Sequence, residues 1–155
     1  MSEVFRVDRD PRIVLPGYHN IITRCRNDAG RGGVGLFIKD SINFKFREDL
    51  SVFITRLYES LFVEVEIEFH KQIVVGVIYR PNTLPSADVD VFTSTLFAIM
   101  EIINTGGKSS LIIGDVNICL LNYGINDKTR DYVDGILSRG FLPVIHKPTR
   151  VGYPD

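Results

Sequence analysis

The stretch Leu111-Ile112-Ile113-Gly114-Asp115-Val116-Asn117 ends an apolar run with a glycine and then presents an acid and an amide one residue apart. Asp115 and Asn117 can point the same way. At the carboxyl end of a strand in an α/β sheet, where ligand crevices open, such an aspartate can bind a metal or orient a water. An asparagine beside it can hold a phosphate oxygen. Glycine, aspartate and asparagine also make ordinary turns, and taken alone the segment reads as one. A second apolar run, Gly76-Val77-Ile78-Tyr79-Arg80-Pro81-Asn82, ends by delivering Tyr79, Arg80 and Asn82. A phenol and a guanidinium are useful where negative charge builds on a phosphoryl oxygen, because preorganised donors stabilise it. The plainer alternative is that Tyr79 caps the core with its hydroxyl in water and Arg80-Pro81 merely ends a strand.

The elements that must carry these groups follow from the hydrophobic pattern. From Leu61 to Phe69 apolar and acidic residues alternate, which is the period of a half-buried strand. Gln72 to Tyr79 is apolar on both faces, as in a strand covered on each side, and the short His70-Lys71 turn makes the two a hairpin. Upstream, Val34 to Lys39 and Ile42 to Arg47, separated by Asp40-Ser41, predict another hairpin. Between Val89 and Ile103 the period changes. Phe92, Leu96, Ile99, Met100 and Ile103 fall three or four apart and draw the core stripe of a helix. Thr105-Gly106-Gly107 ends it, and Ser109 to Ile113 has strand length. Gly106-Gly107-Lys108-Ser109 imitates the tail of a phosphate-binding loop, but Ile102 occupies the earlier glycine position and a helix precedes the strand, so it is read as a helix-ending loop. Lys128 to Arg139 predicts a second helix with Tyr132, Val133, Ile136 and Leu137 inward, and Phe141 to Ile145 a last short strand.

With 155 residues and 45% hydrophobic content, the chain can bury one core and is expected to be a single domain over residues 1–155. A formal net charge of −1 excludes the broad basic footprint of a DNA-coating protein. A local patch is available in Arg6, Arg9, Arg12, Arg24, Arg26 and Arg31, although a solvated face is the simpler reading. Cys25 and Cys119 lack metal-ligand spacing and read as reduced, mostly buried thiols. Met1 to Arg6 lacks the apolar core of a signal peptide, and no run approaches membrane-spanning length, so an intracellular protein without a membrane partner is expected.

Five segments together carry a family resemblance. Gly35-Leu36-Phe37-Ile38-Lys39, Glu59-Ser60-Leu61-Phe62-Val63-Glu64-Val65, Val75 to Pro81, Ile112 to Asn117 and Lys147-Pro148-Thr149-Arg150 occur in the order and approximate spacing of the endonuclease domain of non-LTR retrotransposons. The chain thus resembles the apurinic-site-type branch of the endonuclease/exonuclease/phosphatase family over nearly its whole length. The resemblance implies an α/β fold of two packed, mostly antiparallel sheets flanked by helices, a four-layer sandwich. It also implies Mg²⁺-dependent phosphodiester hydrolysis on DNA, with Mn²⁺ as a substitute ion, and a nuclear location. Asp115 and Asn117 match the pair that positions the attacking water and the scissile phosphate, with Val116 in place of the usual phenylalanine. Tyr79 matches the tyrosine that supports the phosphate; Arg80 and Asn82 fall on the substrate side. Glu3 stands where the metal-binding glutamate would fall, with Val4 in place of its usual threonine partner.

The resemblance also implies an asparagine on an earlier strand and an Asp-His pair on a later one, and His19, His70 and His146 match neither. Both ends of the domain are therefore expected to be missing from residues 1–155, and turnover to be weak or absent, because groups that act as a unit lose most of their effect together. Two other readings stand beside the endonuclease. One is a catalytically dead remnant that at most binds nucleic acid; the other is a family phosphatase acting on a non-nucleic phosphodiester. The retrotransposon-like strand motifs argue against the latter.

Overall fold

The computed structural model describes residues 14–19, 22–25, 33–54, 57–67, 71–82 and 86–145. Strands β1 (Ile22–Cys25) and β2 (Gly33–Leu36) pair antiparallel as a small sheet. Strands β3 (Phe44–Phe46), β4 (Phe53–Ile54), β5 (Tyr58–Glu66), β6 (Gln72–Tyr79) and β7 (Ser109–Asp115) form a larger one in the order β3-β5-β6-β7, with β4 also on β5. Helix α1 (Ser86–Thr105) crosses from β6 to β7, which run parallel, and α2 (Asp127–Ser138) follows β7. The fold is the expected mixed α/β arrangement of packed, mostly antiparallel sheets with helices.

The alternating pattern explains why the large sheet is covered on both faces. In β5, Phe62 turns to one side, where it joins Val74 and Ile78 of β6, Phe92, Leu96, Ile99, Met100 and Ile103 of α1, and Tyr132 and Ile136 of α2. Leu61, Val63 and Val65 turn to the other side and pack on Ile22, Val34 and Ile38. Fully burying each such side chain contributes about 1.5–3 kcal/mol, so the helix stripe and the period-two strands are fixed by the cores they fill. Gly76 of β6 lies beneath the fully buried Phe62 ring, and a Cβ there would come within 2.1 Å of it.

Helix α1 stops where Gly107 adopts φ 61° and the Lys108 N–H returns to the Ile103 carbonyl at 3.3 Å. Helix α2 starts at Asn126, whose side chain accepts the Thr129 N–H at 3.0 Å. It buries Tyr132 and Ile136 with Val133 half-buried, but Leu137 is exposed.

Three further local expectations change. The predicted hairpin of Val34–Lys39 with Ile42–Arg47 does not form, because β2 pairs with β1 and β3 pairs with β5. The chain crosses between sheets there, with Ile38 buried and Ile42 packed between the layers. Phe141 to Ile145 carries no strand pairing among the described residues, and Cys119 is exposed rather than buried.

Candidate functional site

Tyr79 is the last residue of β6 and Asp115 the last of β7, and the parallel register sets them directly side by side. Parallel pairing is what makes this happen. The α1 crossover returns the chain to the same starting end of the sheet, so both strands finish together at the end where α/β crevices open. Tyr79 is half-buried against the core between the sheets, whereas Asp115 is exposed.

The turn after β7 is held by a reciprocal clamp. Asp115 Oδ1 accepts the backbone N–H of Asn117 at 3.0 Å, and the Asp115 carbonyl accepts the Arg80 N–H at 2.9 Å. Asn117 Nδ2 donates to the Arg80 carbonyl at 2.7 Å. Arg80 returns two bonds, from Nε to the Val116 carbonyl at 2.6 Å and from Nη2 to the Asn117 carbonyl at 2.5 Å. Two glycine-like backbone positions permit this geometry. Gly114 has φ 145°, and a Cβ there would lie 1.8 Å from the Ile78 carbonyl oxygen. Asn117 itself adopts φ 50°, a left-handed conformation that asparagine tolerates better than most residues.

Arg80 is only 4% exposed, and its guanidinium carbon sits 5.8 Å from the centre of the Phe92 ring. Burial pulls its pKa below the ordinary arginine value, while the nearby Asp115 charge pushes it back up. Tyr132 of α2 stacks on the same Phe92 ring at 6.3 Å between centroids, and burial raises its phenol to about 12. The guanidinium therefore fastens the strand tips to the helical core, with two of its donors engaged by backbone carbonyls.

Of the residues singled out from sequence, Tyr79, Arg80, Asp115 and Asn117 come together at one end of the large sheet. Asn82 is exposed just beyond Pro81 at that end. Glu3 lies outside the described residues, as do the side chains of the N-terminal arginines. Sequence reasoning missed Glu59. It is 1% exposed in β5 and directly opposite Tyr79, so Glu59, Tyr79 and Asp115 form one row across three adjacent strands. The available signal was its place two residues before the apolar series Leu61, Val63 and Val65, which puts it on the same inward face.

Among the described residues there is no group of three or more His, Cys, Asp or Glu side chains that could hold a metal ion. No helix among them is long and apolar enough to cross a membrane. No protein-family model matches the chain, and no curated protein matches its sequence.

Proposed function

We propose that the chain is a metal-dependent phosphodiesterase domain of the endonuclease/exonuclease/phosphatase type, acting on DNA in the manner of retrotransposon endonucleases associated with a reverse transcriptase. The observation that carries this reading is the adjacency of Tyr79 and Asp115 at the ends of parallel strands, with Asn117 clamped beside them. Asp115 is the acid that orients the attacking water, and the Tyr79 phenol donates to the phosphoryl oxygen on which charge accumulates. Asn117 and Asn82 address the phosphate. Arg80 acts through the clamp, as the residue that sets the Asn117 backbone.

Magnesium suits this donor chemistry, since it retains several waters and takes one or two carboxylates together with substrate phosphate oxygens. Asp115 is the exposed carboxylate at this end of the sheet, and Glu3 is the second ligand that the family resemblance offers. A bound Mg²⁺ or Mn²⁺ would supply Lewis acidity at the phosphoryl oxygen. A nuclear location goes with this reading.

A second reading is a nucleic-acid-binding module without turnover. It is favoured by the clamp itself, because the Asn117 amide donates to backbone and two Arg80 donors do the same. Nicking of supercoiled plasmid in Mg²⁺ separates the two. Slow, metal-dependent nicking that falls by at least about a hundredfold in Asp115→Ala supports the phosphodiesterase. Nicking indifferent to Asp115→Ala overturns it. DNA binding that weakens steeply with salt, without any nicking, supports the binding module.

A further inference from the structure

Strand β7 pairs with β6 along its whole length, and no strand lies on its other edge among the described residues. The direction of its backbone groups follows from the parallel register. The Asp115 carbonyl accepts the Arg80 N–H, so Asp115 turns its backbone toward β6, and by alternation Leu111 and Ile113 do the same. Ser110, Ile112 and Gly114 therefore aim their N–H and C=O groups outward. The run Ser109 to Gly114 contains no charged residue, so the edge lacks the lysine or inward charge with which exposed edges are usually guarded. The opposite edge of the sheet does carry one, Lys45 at the centre of β3.

The side chains of this edge are apolar on both faces. Ile112 packs against the helical core. Leu111 and Ile113 stand beside Val75 and Val77 on the other face and remain 48% and 46% exposed. Val75 and Val77 belong to the core between the sheets, so its apolar surface continues outward across β7 and stops in solvent.

We propose that β7 pairs antiparallel with β7 of a second copy of this chain, across a two-fold axis at Ile112. Backbone, side chains and charge select this occupant and this register. With Ile112 opposite itself, Ser110 meets Gly114 of the partner subunit, and every outward N–H and C=O from 110 to 114 is exchanged in hydrogen-bonded pairs. A register shifted by one residue would set these groups against backbone already bonded to β6. Leu111 then meets Ile113 of the partner subunit at non-hydrogen-bonded positions, where side chains of an antiparallel pair approach most closely, and the apolar stripe closes on itself. Lys108 precedes the strand and Asp115 ends it, so antiparallel pairing brings opposite charges to each end of the seam. Parallel pairing would stack Lys108 on Lys108 and Asp115 on Asp115, which disfavours it. A self-complementary edge of this kind makes a closed dimer, whereas head-to-tail growth through β3 would meet Lys45. The two Asp115 residues come to lie on one face of the joined sheet, about 20 Å apart along the seam.

Sedimentation equilibrium on the full chain, from about 1 μM to about 1 mM, tests this. A species of twice the 17.5 kDa chain mass should grow in as concentration rises. Leu111→Lys combined with Ile113→Lys should weaken the dimer at least about tenfold, and so should Leu111→Glu combined with Ile113→Glu. An equimolar mixture of the two double variants should restore a dimer, because the register sets position 111 of one copy against position 113 of the other. In the wild-type chain, nuclear Overhauser effects between differently labelled copies should join Leu111 to Ile113, a readout that needs no variant to fold. A wild-type monomer throughout the concentration range overturns the proposal. Dimerisation indifferent to the paired lysines in a variant of wild-type circular dichroism also overturns it, since another surface would then be in use. Intermolecular contacts joining Leu111 to Leu111 overturn the antiparallel register.

Discussion

At the scale of single residues, Arg80 does more than a strand-ending arginine would. Its buried guanidinium spans two carbonyls in a fixed fork, a geometry that a lysine ammonium cannot reproduce. Arg80→Lys should therefore leave at least one of the Val116 and Asn117 carbonyls without its partner and cost about 1–3 kcal/mol, read as a lower denaturant midpoint at unchanged slope. A midpoint equal to wild type would show that the fork contributes nothing. Sequence supplied the type of this residue and its place beside Tyr79, but not its partners. Those lie 36 and 37 residues away on the other strand tip, at a separation that no local pattern reports.

Among the elements, the β5–β6 hairpin and α1 were readable because each buries residues at a regular period. Leu61, Val63 and Val65 alternate with Phe62 and Glu64, and Phe92, Leu96, Ile99 and Ile103 fall on one helical stripe. The strand partnership of β2 and β3 was not readable. Both are short, and pairing depends on which neighbour offers an open edge rather than on proximity along the chain. Within the hairpin, Gly76 and Phe62 are register partners that share one space, the ring lying where a side chain on Gly76 would be. Gly76→Ala should destabilise by roughly 1–3 kcal/mol through overpacking, because the fully buried Phe62 has little room to move. Adding Phe62→Leu should recover part of that loss, giving a double-mutant cycle with clear coupling. Strictly additive losses would show that the two positions do not compete.

Over the whole molecule, an ion cluster ties the far end of the sheet together. Glu64, with a side chain 13% exposed, accepts from Lys108 Nζ at 2.9 Å and Arg47 Nη1 at 3.0 Å, joining β5, the start of β7 and the segment after β3. The hydrogen bond from Lys108, with that from Arg47, holds the Glu64 carboxyl below the usual glutamate range despite its burial. Asp49 is likewise lowered, chiefly by its hydrogen bond from Arg47. A depressed folded-state pKa contributes stability above the unfolded value, about 4.3 for glutamate, and loses it as pH falls through the folded value. Glu64→Gln should therefore lower stability at neutral pH and flatten the acid limb of the stability profile, as measured by thermal melts from pH 7 downward. An acid limb of unchanged steepness would place the proton uptake elsewhere.

Sequence alone determined the α/β class, the two-sided burial of Gln72 to Tyr79, the helical stripe between Val89 and Ile103, and the chemistry available at two strand ends. Those properties are written in residue type and period, and they follow from burial and backbone geometry acting over a few neighbours. Only the tertiary structure decided that the two ends meet, that Glu59 joins their row, and that Arg80 and Asn117 lock each other in place. Each of these depends on a parallel crossover that brings distant residues into register. The physical reason is that side-chain periodicity specifies which face of a strand is buried, whereas strand order and register arise from how all the faces are buried together.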